Sequence, residues 1–149
     1  MRKKHLELDA TQADGRRVIV TKIVSEADIV TARQGSRELA ARLGFGTVDQ
    51  AFIATAVSEL ARNMLRYAIN GQVRVESHVV ARRAEIRVIA SDRGPGIPDL
   101  DAAMTDGFTT SGSLGLGLPG IKRLMDDMRV ETSPGGTTVV ASKFVTAGA

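Results

Sequence analysis

The hydrophobic pattern changes its period several times along the chain, and each change marks a predicted element. Residues 17–24 are rich in β-branched side chains and predict a strand. Residues 72–80 and 84–92 alternate apolar with polar positions, as half-buried antiparallel strands do. Between these strands, residues 26–43 and 48–69 repeat apolar positions at helical spacing, so the pattern predicts two consecutive helices.

Local signals define the ends and the buried faces of these two helices. Ser25 suits the N-cap position, and Gly44 suits the stop after the first helix. The first helix carries a partial apolar stripe of Ile29, Ala32, Leu39 and Leu43. The second helix carries a fuller stripe of Phe52, Ile53, Ala56, Val57, Leu60 and Met64, and it closes at Asn70–Gly71.

The last third of the chain is rich in glycine and ends in a predicted hairpin. Residues 92–99 cannot form regular structure, and the glycine-rich stretch after them leads into a short helix with Pro119 near its first turn. Residues 128–145 predict two strands joined at "SPGG". This order predicts an α+β two-layer sandwich, with a mixed sheet covered on one face by helices. We expect one domain over residues 1–149, with the polar residues 1–16 frayed.

Composition narrows the class of protein. With 43% hydrophobic and 25% charged residues, the 149-residue chain has the composition of a soluble globular domain. It has no cysteine, which excludes disulfides and thiolate chemistry. The net charge of +3 is spread along the chain and only 3% of residues are aromatic, so we expect no nucleic-acid partner. The chain has neither a membrane-spanning run nor a signal peptide, so we expect a cytoplasmic protein without membrane association.

Two stretches place polar residues where chemistry is possible. Glu59 and Asn63 lie one turn apart at the edge of the second helix's apolar stripe, either as a solvated or arginine-paired edge of the core or as a functional pair. Asp92 ends a strand and opens the segment with Gly94 and Gly96, either as an ordinary turn or as a carboxylate that accepts hydrogen bonds from an amino group. The later glycine run, next to a helix start, suits either a flexible loop or phosphate binding.

Taken together, these pieces resemble a known family. Four motifs are similar to those of the Bergerat ATP-binding fold, which gyrase B, histidine kinases and anti-sigma-factor kinases share. They are Glu-x-x-x-Asn on a helix, Asp-x-Gly-x-Gly after a strand, Gly-x-Gly before a helix and "GGT" in the last hairpin. The resemblance implies ATP and Mg²⁺ as ligands. It implies that Glu59 is the general base, that Asn63 binds Mg²⁺ and that Asp92 binds the adenine amine.

The same resemblance implies further nucleotide contacts. Gly94 and Gly96 would let the loop pass against the base, with Ile97 packing nearby and Thr137 in the water network at adenine. A lid would span residues 99–114, and Arg66 would lie at the nucleotide rim. The remaining expected contacts, at the lid and the phosphates, are Thr109, Gly115, Leu116, Gly117 and Leu118.

Several segments, not all of them in that site, resemble the RsbT-like serine/threonine switch kinases: "LGFGTVDQA" at 43–51, "DGFTTSG" at 106–112 and "GLGLPGIKRLMD" at 115–126. That branch implies phosphorylation of STAS-domain proteins, an RsbS-like antagonist and an RsbR-like scaffold, and activation of an RsbU-like phosphatase or another output enzyme. Direct anti-sigma factors often carry an arginine where this chain has Ser113–Leu114. Two alternatives stay open: a binding module that sequesters its partner with ATP as a structural ligand, and an ATPase whose acceptor is water.

Overall fold

The computed structural model describes residues 10–11, 16–67, 70–94, 96–97, 104 and 117–146, and the statements below concern these residues. They form six strands and three helices. In chain order these are β1 Ala10–Thr11, β2 Arg17–Lys22, α1 Glu26–Arg42, α2 Thr47–Tyr67, β3 Gln72–Val80, β4 Arg83–Asp92, α3 Gly117–Leu124, β5 Asp127–Ser133 and β6 Gly136–Thr146.

The strands form one sheet in the order β1-β2-β3-β4-β6-β5, and every pairing between them is antiparallel. The predicted α+β class is confirmed, but the expected mixed sheet is wrong for the described strands. Two consecutive helices return the chain to the end of the sheet where β2 finished, so β3 runs antiparallel to β2. β4 and β5 also run in the same direction, but the closing hairpin places β6 between them.

The first helix begins with a buried carboxylate. Asp28 is 1% exposed, and its Oδ2 accepts hydrogen bonds from the backbone N–H groups of Val24 (2.8 Å) and Ser25 (2.9 Å). These are groups that a helix start otherwise leaves unsatisfied. Ser25 is the N-cap, and Gly44, at φ +95°, follows the C-cap, so both predicted boundaries are confirmed.

The core lies between the helices and one face of the sheet. The predicted stripe of α2 is buried at Ile53, Ala56, Val57, Leu60 and Met64. Phe52 is an exception, because it is 38% exposed and its ring lies 5.6 Å from Nζ of Lys143 on β6. The prediction that Phe52 belongs to the buried stripe is therefore wrong, since this end of α2 is covered only partly by its neighbours.

A lysine on the helix-covered face of β6 connects that strand to the end of α3. Nζ of Lys143 donates a hydrogen bond to the carbonyl oxygen of Leu124 (2.8 Å) and lies 3.5 Å from Oδ1 of Asp126. The last carbonyls of a helix carry partial negative charge, so a cation there is favourable. Helix α3 ends at Leu124, and β5 starts at Asp127.

Two residues of the polar N-terminal segment pair with the sheet, which the sequence pattern does not predict. Ala10 lies opposite Val18 and Thr11 opposite Arg17, so β1 extends the sheet beyond β2. None of the described helices is long and apolar enough to cross a membrane.

Candidate functional site

Glu59 and Asn63 lie on the C-terminal half of α2, at the edge of its buried face. Both are partly buried, and the Glu59 side chain is 13% exposed. Arg62 reaches back one turn and donates from Nη1 to Oε2 of Glu59 at 2.8 Å. The carboxylate is therefore arginine-paired, as expected for an edge-of-core polar pair, and this geometry is equally compatible with a functional group.

Asp92 is the last residue of β4 and turns the chain away from the sheet. Its Oδ1 accepts a hydrogen bond from the backbone N–H of Gly94 at 2.7 Å, which is the usual geometry of a turn begun by aspartate. In the sheet register Asp92 lies opposite Thr137 on β6. The register thus brings together two residues that the sequence resemblance assigned separately to adenine.

A pair of threonines connects the loop after β4 to the closing hairpin. The hydroxyl of Thr132 accepts a hydrogen bond from the N–H of Ile97 (2.8 Å), and it lies 2.9 Å from the hydroxyl of Thr137. Thr132 was missed by the sequence reasoning. A two-residue turn at Pro134–Gly135 makes Thr132 and Thr137 cross-strand partners, so the hairpin register was the available signal.

Two glycines allow this loop and the hairpin to approach closely. Gly96 has φ +85°, and a Cβ there would lie 2.2 Å from the carbonyl oxygen of Ser133. Gly136 has φ +155°, and a Cβ there would lie 2.2 Å from the carbonyl oxygen of Asp92. Both positions therefore require glycine for the fold itself. For Gly96 this contact with β5 is a reason that the sequence reasoning did not anticipate.

A cavity of about 780 Å³ opens where β2 ends, β3 begins and β4 ends, beside the C-terminal end of α2. This volume is within the range of roughly 300–1,000 Å³ that small-molecule sites occupy. Asp92 is the one predicted site residue among its described lining. The lining is mixed, with apolar, amide and cationic side chains: Lys22, Ile23, Val24, Met64, Leu65, Asn70, Gly71, Gln72, Ser91, Asp92 and Arg93.

The other predicted residues are divided between described and undescribed parts of the chain. Arg66 is exposed near the end of α2, and Ile97 is partly buried and packs against the core. Gly117 is the first residue of α3, and the Leu118 side chain is in the core at 9% exposure, so only its backbone is a candidate for phosphate contact. Thr109, Gly115 and Leu116 lie outside the described residues, as does all of the predicted lid except Met104.

The described residues contain no group of three or more His, Asp or Glu side chains arranged to hold a metal ion. For the predicted Mg²⁺ site, the chain offers the amide of Asn63, one turn from the Glu59 carboxylate. Mg²⁺ usually keeps several waters and takes few protein ligands when substrate phosphates complete its shell. A single amide oxygen beside a nucleotide is consistent with that chemistry.

Comparison with known proteins shows which family combines these features. The family of the histidine kinase-like ATPase domain matches residues 24–143. The chain is 52% identical over 125 residues to the serine/threonine-protein kinase RsbT of Bacillus subtilis (strain 168), covering 83% of this chain and 94% of that one. It is 33% identical over 121 residues to the anti-sigma F factor of Caldanaerobacter subterraneus subsp. tengcongensis, covering 76% and 83% of the two chains.

Solved structures agree on the fold. The crystal structure of the RsbU and RsbW domains of a Mycobacterium tuberculosis protein superposes with a TM-score of 0.59 at 22% identity, covering 87% of this chain and 33% of that one. The mycobacterial sensor histidine kinase MprB superposes with a TM-score of 0.53 at 17% identity, covering 83% and 95% of the two chains. At these identities the likeness concerns the fold alone.

Proposed function

The chain belongs to the family of histidine kinase-like ATPase domains, and we propose that it is an ATP-dependent serine/threonine protein kinase of a bacterial partner-switching system. The observation that carries this proposal is the 52% identity to RsbT over 125 residues, which cover 83% of this chain and 94% of that kinase. Anti-sigma F factors also match, at about a third identity, and they supply the second candidate function.

Adenine recognition is assigned to the end of β4. The Oδ1 of Asp92 already accepts the Gly94 N–H, so Oδ2 is the oxygen that would accept a hydrogen bond from the exocyclic amine of adenine. The hydroxyl of Thr137 lies on the neighbouring strand, linked to Thr132, and would complete a water network there. Gly94, Gly96 and Ile97 form the loop that would pass along the base.

The phosphates are assigned to the opposite side of the site, between α2 and the start of α3. Backbone N–H groups at the first turn of a helix attract anions, which suits Gly117 and Leu118 together with the preceding Gly115 and Leu116. The Asn63 amide would hold Mg²⁺, which would neutralise charge on the phosphates. Arg66 and the lid residue Thr109 are the further contacts proposed at the rim.

The chemistry assigned to this chain is transfer of the γ-phosphoryl group to a hydroxyl. Glu59 takes the proton from the acceptor serine or threonine while the hydroxyl oxygen bonds to the γ-phosphorus. The bond from that phosphorus to the bridging oxygen breaks, and ADP leaves with the electron pair. Because phosphoryl transfer depends mainly on positioning and charge stabilisation, one base and one metal ligand on a rigid helix are a sufficient contribution from α2.

The proposed acceptors are STAS-domain proteins, an RsbS-like antagonist and an RsbR-like scaffold. After phosphorylation of these partners the kinase would bind and activate an RsbU-like phosphatase or another output enzyme. The support for these partners is the kinship with RsbT.

The test is phosphorylation of a STAS-domain protein encoded in the same genome, with Mg²⁺-ATP and intact-mass spectrometry as the readout. We expect one added phosphate on the STAS protein with the wild-type chain. Nucleotide affinity, measured by calorimetry, should fall by about tenfold or more in both Asn63→Asp and Asp92→Asn. Asn63→Asp adds a second carboxylate beside Glu59 and the nucleotide phosphates, and Asp92→Asn replaces a charged acceptor of the adenine amine by an uncharged amide.

Two outcomes would contradict the proposal. ATP binding without any transfer to STAS proteins, combined with capture of a sigma factor, would favour the anti-sigma function instead. Wild-type nucleotide affinity in both variants would contradict the assignment of the nucleotide site.

A further inference from the structure

Arg62 directly contacts the proposed base. Its Nη1 donates to Oε2 of Glu59 at 2.8 Å across one helical turn. The arginine side chain is 42% exposed, whereas the glutamate is 13% exposed. The pair is therefore asymmetric: a mostly buried carboxylate is held from the solvent side by a cation that follows it along the helix.

This arrangement restricts the carboxylate at the edge of the site. A glutamate side chain has several rotatable torsions and loses considerable rotamer entropy when it is held in one geometry. The hydrogen bond from Arg62 to Oε2 therefore favours the Glu59 rotamers in which the carboxylate stays at the edge of the site. Glu59 neighbours both Arg62 at i+3 and Asn63 at i+4, so the carboxylate that Arg62 holds lies beside the proposed metal ligand.

We propose that Arg62 is a positioning residue, which orients the Glu59 carboxylate for removal of the proton from the acceptor hydroxyl without touching the nucleotide itself. The inference rests on the proposed function, because it concerns the base of that reaction. When a reacting group is misplaced, the chemical step becomes slower even if every contact with the substrate is retained. An ion pair with a purely structural role would have a different signature, since exposed pairs on helices change stability only slightly and leave the chemical step unchanged.

The test uses single-turnover phosphorylation of a STAS-domain protein, with ATP affinity and thermal stability measured on the same variants. Arg62→Met removes the charge and retains most of the aliphatic length, and we expect about a tenfold slower transfer step with unchanged ATP affinity. Arg62→Lys keeps the cation and should recover part of that rate. Arg129→Met, on exposed β5, is the matched control for loss of one positive charge and should transfer at the wild-type rate.

A double variant separates an effect through Glu59 from an independent effect. If Arg62 acts only through Glu59, Glu59→Gln combined with Arg62→Met should transfer no more slowly than Glu59→Gln alone. A wild-type rate in Arg62→Met, a rate loss that follows ATP affinity or the folded fraction, or a further loss in the double variant would each overturn the inference.

Failure of the proposed function has a separate signature. A wild-type chain that transfers no phosphate, or a Glu59→Gln variant that transfers normally, would contradict the kinase or the base assignment before Arg62 is considered. Slow transfer in Glu59→Gln together with a wild-type rate in Arg62→Met would contradict the inference alone.

Discussion

Two carboxylate–arginine pairs in this protein have the same chemistry and different surroundings. On α2, Glu59 accepts from Arg62 at the edge of the candidate site. On the open face of the sheet, Glu76 accepts from Nε of Arg74 and lies 2.8 Å from Nε2 of His78. Both glutamates are largely shielded from solvent, with side chains 13% and 8% exposed.

The sheet pair belongs to a wider network. Oε2 of Glu85, on the neighbouring strand, accepts from Arg87 at 3.0 Å and from the hydroxyl of Ser142 at 2.7 Å. Burial raises the pKa of Glu85, but the hydrogen bonds from Arg87 and Ser142 and the positive charges of Arg87 and His78 together outweigh burial, so the pKa lies below its ordinary value.

Glu76 shows the same balance. Burial raises its pKa, but the hydrogen bonds and the positive charges of Arg74 and His78 together outweigh burial, so this pKa is also lowered. A carboxylate stabilised in its charged form by several donors contributes to the fold and is a weaker base. An arginine partner by itself therefore does not identify a functional carboxylate. The position of Glu59 beside Asn63 is what distinguishes the α2 pair.

The largest expected difference between the two pairs is in catalysis. Glu59→Gln should slow transfer to the STAS protein by about 10²–10⁴-fold with ATP affinity retained, because a general base is lost. Glu76→Gln should lower the free energy of unfolding by about 1–3 kcal/mol, because it weakens charged hydrogen bonds, and should leave transfer by the folded protein unchanged. Single-turnover kinetics and urea unfolding on both variants check this. Equal losses of rate would remove the distinction between the pairs.

The next effect concerns the glycines that bring the loop after Asp92 against the hairpin. Gly136→Ala should destabilise the protein by about 1–3 kcal/mol, because its Cβ would overlap the carbonyl oxygen of Asp92 and the backbone must shift. It should also weaken nucleotide binding through Asp92. Gly135→Ala is the matched control, because the nearest atom to a Cβ there is 3.9 Å away, an ordinary contact.

Urea unfolding and ATP calorimetry measure both effects of the glycine variants. A Gly136→Ala protein as stable as Gly135→Ala would contradict the close approach of the two strands.

The smallest effect is the pH dependence of stability. The pKa values of Glu76 and Glu85 are lowered in the folded state, so their contribution is fully present above the unfolded glutamate pKa of about 4.3 and is lost as pH falls through the lower folded-state values. Urea unfolding of the wild type should show stability declining below about pH 4.3, with a shallower decline in a Glu76→Gln/Glu85→Gln variant. If the free energy of unfolding declined with pH at the same rate in the two proteins, the network would not lower the pKa values of Glu76 and Glu85.

Much of the local structure was predictable because its causes are local. The start of α1 follows from Ser25 and Asp28, which cap the helix within four residues, and its end follows from Gly44. The strand limits of β3 and β4 follow from their alternating pattern, which the structure reproduces with nearly the same bounds. The residues proposed for the site were found by order and spacing, and the positions of Thr109, Gly115 and Leu116 stay predictions.

Long-range pairing accounts for what the pattern missed. The exposure of Phe52 depends on how far α2 extends past its neighbours, and the role of Lys143 depends on where α3 ends, neither of which is encoded near these residues. The hydrogen bond that Thr132 accepts from Ile97 depends on how the β5–β6 hairpin lies against the loop after β4. The pairing of Arg62 with Glu59 was within reach of helical spacing, since an arginine partner for the edge of the stripe was one of the two interpretations of that pair.

The sequence by itself determined the elements, the caps and the set of chemically capable residues, because capping, periodicity and glycine placement act over a few residues. Only the tertiary structure decided that β6 lies between β4 and β5, which makes the described sheet antiparallel and sets Asp92 opposite Thr137. Strand order and register are selected by the burial of whole faces and by backbone hydrogen bonds between segments far apart in the chain. No short stretch of sequence contains that information.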